Sequence, residues 1–263
     1  MEEPSLYLGL LARVLTNTLF AAEPGAEPEN AASPVELARR RHQFVLDFTR
    51  HYIDGPALSM LPLARLDHLR ACIEDVIARN VPGDLIETGV WRGGATIFMR
   101  AALRAHGTTD RAVWVADSFE GLPKPDAEKF PLEAKRHAGV VLRDAYKHFA
   151  VSLEEVQRNF AAFGLLDEQV QFLKGWFRDT LPAAPIKHLA ILRLDGDYYE
   201  STMDALAGLY PRVSIGGYVI VDDYGEESWT YCRRAVDEFR RDYGIDAPMI
   251  PVDSKCYYWQ RSQ

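Results

Sequence analysis

Apolar positions along the chain follow two rhythms. One recurs every three to four residues, over 4–20, 35–53, 64–79, 95–105, 152–164, 200–211 and 230–243, and predicts amphipathic helices. The other consists of short apolar runs: Leu85-Ile86, Ala112–Ala116, Val170–Leu173, His188–Leu194 and Tyr218–Val221, with two weaker runs at 247–252 and 255–260. These runs predict strands, most of them buried on both faces as in a parallel sheet. Strands and helices alternate from residue 64 onward, so the pattern predicts an α/β fold with helices on both faces of one sheet.

Breakers divide the chain. Pro82-Gly83 precedes the first strand, and Ser152-Leu153-Glu154-Glu155 reads as a capping box that opens a helix. Residues 21–34 carry Pro24, Pro28 and Pro34 and predict a linker or lid. Residues 121–150 carry Pro123, Pro125 and Pro131 and predict a mobile segment with a short helix over the site. His137 and His148 lie there and read as ordinary surface histidines. The expected organisation is an N-terminal helical lid, residues 1–56, followed by a main domain, residues 57–263.

Composition narrows the class. A chain of 263 residues that is 48% apolar has ample material for a core. A net charge of −8 argues against a general polyanion binder. Three cysteines, Cys72, Cys232 and Cys256, are widely spaced and form neither a metal motif nor a disulfide framework, which suits a reducing cytoplasm. There is no basic segment leading into an apolar leader and no run of 18 apolar residues, so a soluble cytoplasmic protein is expected.

The chemistry starts at residues 84–96. The run Leu85-Ile86-Glu87-Thr88-Gly89-Val90-Trp91-Arg92-Gly93-Gly94 reads as strand, glycine turn and helix start, the arrangement that builds ligand crevices at strand C-termini. Its glycine spacing differs from the G-x-G-x-x-G of dinucleotide-binding loops. It is closer to the nucleoside loop of S-adenosylmethionine (SAM) methyltransferases, where an acid such as Glu87 faces the ammonium of SAM. Asp117, at the tip of the second strand, stands where nucleotide sites place a ribose-binding carboxylate. Gly175-Trp176-Phe177 follows the third strand and either flanks an adenine ring or packs in the core.

Two acidic pairs, Asp195/Asp197 and Asp222/Asp223, follow the fourth and fifth strands. Parallel strands bring these ends into one crevice. Four crowded carboxylates repel unless some protonate or a cation sits among them. Oxygen ligands without Cys or His point to a hard cation, Mg²⁺ or Ca²⁺. Such an ion lowers the pKa of a bound hydroxyl and makes it a nucleophile toward a methyl donor. Asp197 is the expected base, with Asp195, Asp222 and Asp223 as ligands; the roles of Asp195 and Asp197 are interchangeable at this level.

These motifs, with Ala116-Asp117-Ser118-Phe119-Glu120-Gly121-Leu122-Pro123, Leu194-Asp195-Gly196-Asp197 and Val221-Asp222-Asp223-Tyr224, resemble the macrocin-type sugar O-methyltransferases from about residue 60 to the end. The resemblance implies a class I SAM-dependent methyltransferase fold, with a seven-stranded, mostly parallel sheet and an N-terminal helical extension. It implies SAM and Mg²⁺ as cofactors, a deoxysugar hydroxyl on a glycosylated natural product as acceptor, and a homodimer. By position, Ser59, Met60, Glu87, Thr88, Gly89, Arg92, Asp117, Ser118, Gly175 and Trp176 would hold SAM. Asp195, Asp222 and Asp223 would hold the metal. The chain departs from the family pattern at Leu61-Pro62, after Pro123 and after Asp223, and residues 21–56 align poorly with it; these are the places where the acceptor pocket is expected. Rival readings are a metal-dependent methyltransferase of a catechol, a nicotinamide-dependent sugar oxidoreductase, which the glycine spacing disfavours, and a non-catalytic relative, which would have lost the acids.

Overall fold

The computed structural model describes residues 3–25, 33–138, 148–225 and 230–262. Seven strands, β1 (Asp84–Thr88), β2 (Val113–Asp117), β3 (Val170–Lys174), β4 (Leu189–Leu194), β5 (Val213–Val221), β6 (Ile250–Pro251) and β7 (Tyr257–Gln260), form one sheet in the order β3-β2-β1-β4-β5-β7-β6. The first five are parallel, and β7 runs antiparallel to both β5 and β6. Around the sheet lie α1 (Glu3–Leu15), α2 (Pro34–Phe48), α3 (Leu63–Ala78), α4 (Gly94–Ala105), α5 (Pro131–His137), α6 (Leu153–Ala162), α7 (Phe177–Thr180), α8 (Tyr199–Leu209) and α9 (Thr230–Asp242). A π-helical turn, Thr49–Ile53, prolongs α2. This is the class I SAM-dependent methyltransferase fold expected from the sequence.

Alternation along β1 and β4 divides the core into two layers. Leu85 and Ile191 join Phe98 on one face, while Ile86 and Leu192 join Leu206 and Phe239 on the other. Helix α1 belongs to the first layer: Leu8, Leu11 and Leu15 are buried in the same cluster as Phe98. Of the expected capping box the N-cap half is observed: Ser152 Oγ accepts the Glu155 N–H at 3.2 Å. All three cysteines are buried and free. Among the described residues no helix is long and apolar enough to cross a membrane.

The fifth strand differs from the sequence reading, which started it at Tyr218. It begins at Val213, and its register against β4 shifts between Leu189↔Val213 and Ile191↔Tyr218. Gly216-Gly217, which look like a turn in sequence, absorb the shift. Gly216 has φ 83°, and a Cβ on Gly217 would lie 2.9 Å from the Ala190 carbonyl oxygen. The expected linker at 21–34, the segment at 121–150 and the insertion after Asp223 each lie partly outside the described residues.

Helix α5 docks on the start of α8. Phe130 stacks on Tyr199 with ring centroids 4.9 Å apart, and Glu133 accepts the Tyr199 N–H at 2.9 Å, satisfying a donor of the first turn. Burial pushes the Glu133 carboxyl up to about 7 from an ordinary 4.5. Between those values the folded chain keeps a proton that the unfolded chain has lost. The Glu133 contribution therefore falls as pH rises through this window and levels off above it. Urea unfolding of Glu133→Gln is expected to show a shallower loss of stability from pH 5 to pH 8 than the parent; an unchanged slope would assign that loss to other groups.

Candidate active site

The loop after β1 is shaped by close backbone approaches. Gly89 has φ 89°, and a Cβ there would sit 1.9 Å from the Asp195 carbonyl oxygen, so the ends of β1 and β4 converge only with glycine at this position. Gly94 opens α4 and donates its N–H to the Leu58 carbonyl at 2.9 Å; a Cβ would lie 2.4 Å from that oxygen. This contact seats the segment that carries Ser59 and Met60 against the loop.

A cavity of about 890 Å³ opens over the C-terminal ends of the parallel strands. It is lined by Ser59, Met60, Glu87, Gly89, Asp117, Ser118, Gly175 and Trp176, and by Asp195, Asp197, Asp222 and Asp223. Two residues assigned to the donor site from sequence do not line it. The Thr88 hydroxyl is buried within the sheet and donates to the Arg193 carbonyl at 3.4 Å. Arg92 points away from the cavity, because its guanidinium donates to the carbonyls of Tyr52, Ile53, Gly55 and Ala57 at 2.9 to 3.1 Å. Arg92 thus fastens the chain between α2 and α3 to the glycine loop. The two histidines also fall outside the lining: His137 Nδ1 lies 3.0 Å from the Tyr198 hydroxyl.

Asp117 organises the loop as well as facing the cavity. It accepts the Val90 and Phe119 N–H groups, each at 2.8 Å. Burial raises its pKa, against the pull of these hydrogen bonds. Ser118 donates its hydroxyl to the Gly121 carbonyl and accepts the Glu120 N–H, which fixes the turn beyond β2.

The acids at the strand tips are assembled around a cation that belongs to the chain. Arg193 lies directly across from Glu87 in the β1–β4 register. Its side chain is 2% exposed, and it donates to Glu87 at 2.6 Å, to Asp195 at 2.7 Å and to Asp222 Oδ1. Arg65, on α3, donates to Asp222 Oδ2 at 2.7 Å and forks onto both oxygens of Asp253 at 2.6 and 3.1 Å. Burial disfavours the charge on each arginine, but Asp222 and its companions outweigh that and keep both protonated. Sequence reading missed both arginines and Asp253. A lone Arg in the apolar run Leu189–Leu194 was the available signal for Arg193. Arg65 and Asp253 carry no comparable mark.

Repulsion among the acids is thus partly relieved by these guanidinium groups, and the case for a metal rests instead on donor geometry. Asp195, Asp222 and Asp223 each offer an oxygen within 4.8 Å of the other two. Asp223 Oδ2 is buried and finds no hydrogen-bond partner among the described residues. Its pKa is raised strongly, by burial first and then by Asp197 and Asp222. Burial, followed by Asp222, pushes Asp195 up to about 6. An orphaned carboxylate oxygen beside two further carboxylates fits a hard divalent cation. Glu87 Oε2 is likewise buried without a partner, and burial raises this carboxyl to about 8. Asp197, with φ 58°, stands in the left-handed region beside Gly196, a conformation that costs a non-glycine residue on the order of 1–3 kcal/mol.

The model of the macrocin O-methyltransferase (TylF) family matches residues 4–261. The chain belongs to the macrocin O-methyltransferase family. It is 48% identical to demethyldecarbamoylnovobiocin O-methyltransferase of Streptomyces niveus, covering 100% of this chain and 95% of that one. It is 47% identical to 8-demethyl-8-(2,3-dimethoxy-alpha-L-rhamnosyl)-tetracenomycin-C 4'-O-methyltransferase of Streptomyces olivaceus, covering 98% and 93%. The solved structure of the O-methyltransferase NovP superposes with a TM-score of 0.82 at 48% identity, over 99% of this chain and 100% of that one. In this member of the family the buried Arg193 is predicted to be structural as well as local to the site. Arg193→Met strands three carboxylates without their shared cation and is expected to cost about 3–5 kcal/mol in urea unfolding; a loss under about 1 kcal/mol would mean that the acids reorganise freely.

Proposed function

We propose that the protein transfers the methyl group of SAM to a hydroxyl of a deoxysugar carried by a glycosylated natural product, with Mg²⁺ held by Asp195, Asp222 and Asp223. The observation that carries this reading is that one cavity is lined both by Glu87, Gly89, Asp117 and Gly175-Trp176 and by the three clustered acids with Asp197. Family membership supports methyl transfer to oxygen, and the activities of the two relatives, on a novobiocin precursor and on a rhamnosyl-tetracenomycin, support a sugar on a natural-product scaffold. The exposed apolar face of α1, with Leu6, Leu10 and Val14, supports a homodimer.

When bound, Mg²⁺ would supply Lewis acidity to an acceptor hydroxyl. The chain's own residues do the rest. Arg193 and Arg65 each hold one oxygen of Asp222, so its carboxylate has a fixed orientation. Arg193 also engages Asp195, and Asp197, which lines the same cavity two residues on, is assigned as the base. Bound SAM would supply an electrophilic methyl group whose bonding pair is left on sulfur when the acceptor oxygen takes the methyl; Asp197 takes the proton that the acceptor hydroxyl loses. Glu87 and Asp117, which line the same cavity, would receive the ammonium and ribose of SAM.

Chelation followed by metal add-back, using a rhamnosylated acceptor, tests the reading: EDTA should abolish transfer and Mg²⁺ should restore it. Full turnover after rigorous metal removal would sink the metal assignment. Asp222→Asn should lose Mg²⁺ binding in calorimetry and retain SAM binding. Asp197→Asn should lower kcat by about 10²- to 10⁴-fold, the usual contribution of a general base, with Mg²⁺ affinity kept within a few-fold.

A further inference from the structure

Helix α2 is fifteen residues long and buries none of them fully, yet it carries an ordered aromatic row. Phe44, Phe48 and, on the π-helical turn, Tyr52 recur every four residues and share a face. Their rings touch in series, with centroids 5.9 Å apart for Phe44–Phe48 and 5.0 Å for Phe48–Tyr52. All three line the same cavity as the strand-tip acids. Tyr52 is buried and Phe48 packs against the main core, whereas Phe44 is half-buried at the outer end. At 1.5 Å per residue the row spans about 12 Å.

Tyr52 and Arg65 both line the cavity, and Arg65 donates to Asp222 Oδ2 at 2.7 Å. Burial, and then Glu23, push the Tyr52 phenol up to about 12, so its hydroxyl stays neutral. The row therefore shares one cavity with the clustered carboxylates and contains no charged group. Ring faces left toward a cavity gain most when another ring covers them, since aromatic pairs contribute beyond the area they bury.

We propose that the Phe44–Phe48–Tyr52 row is a subsite for a flat aromatic aglycone, which binds there while the attached sugar occupies the part of the cavity that holds Asp197 and the three clustered acids. This rests on the glycoside reading above. An aglycone on the row contributes equally to the ground state and the transition state, so its effect falls on KM. Phe44 and Phe48 are specificity-determining residues in this account, and neither takes part in the chemistry.

Kinetics on three α-L-rhamnosides, with 2-naphthyl, cyclohexyl and methyl aglycones, test the proposal. The wild-type protein is expected to prefer the naphthyl glycoside through a lower KM. Phe44→Leu and, separately, Phe48→Leu should reduce the naphthyl-to-methyl ratio of kcat/KM by about 5- to 10-fold, the size of one lost aromatic pair, with kcat for the naphthyl glycoside little changed. Calorimetric SAM binding at parent affinity shows that each variant is folded. Equal use of naphthyl and cyclohexyl glycosides, or an unchanged ratio in both variants, overturns the aromatic subsite and leaves the sugar methyltransferase reading standing. Transfer to none of the three rhamnosides by the wild type overturns the rhamnoside form of that reading, and the subsite with it.

Discussion

A guanidinium buried under the carboxylates sets the terms for the whole crevice. Removing an isolated cation from water costs several kcal/mol, and only close, well-directed anions offset it. Arg193 meets that requirement with one carboxylate from each of three neighbouring strand ends: Glu87 on β1, Asp195 after β4 and Asp222 after β5. These acids are therefore fixed relative to one another by the sheet and by the charge beneath it. Glu87, Asp195 and Asp222 all line the cavity. One buried side chain thus ties three strand ends of the site together.

The elements outside the parallel strands attach to that centre through further arginines. Arg65 brings α3 and the turn between β6 and β7 onto Asp222, with Asp253 completing its fork. Arg92 collects four carbonyls from residues 52–57 and holds them beside the glycine loop. A planar guanidinium presents several fixed donors, so a single residue can gather oxygens from different elements. In this crevice arginines hold the frame, while glycines and acids face the space where ligands enter. The aromatic row of α2 follows from the same arrangement, because Arg92 anchors the chain just beyond Tyr52.

Much of the site was legible in the sequence because its signals are local. Asp117, Asp195, Asp222 and Asp223 each follow an apolar run, and a parallel sheet must bring such ends together. Gly89 and Gly94 announced a tight loop, and the structure shows the carbonyls of Asp195 and Leu58 that a Cβ would strike. Arg92 and Thr88 were assigned to the donor because they lie in the same motif. Neighbours along a turn point in different directions, and sequence order does not say which way. The fifth strand was read short for a related reason: Gly216-Gly217 resemble a turn until a partner strand shows that they absorb a register shift.

The sequence by itself determined the alternation of strands and helices, the strand tips that carry acids and the family to which the chain belongs. Hydrophobic period, breakers and motif spacing are properties of consecutive residues, and they survive without coordinates. Tertiary structure alone decided which charges share Arg193, that Arg65 reaches Asp222 and Asp253 across 157 and 188 positions of sequence separation, and that Phe44, Phe48 and Tyr52 line the cavity. Those pairings depend on burial and distance between elements far apart in the chain. A carboxylate that is only one more acid in sequence becomes paired or orphaned according to the cation the fold places beside it.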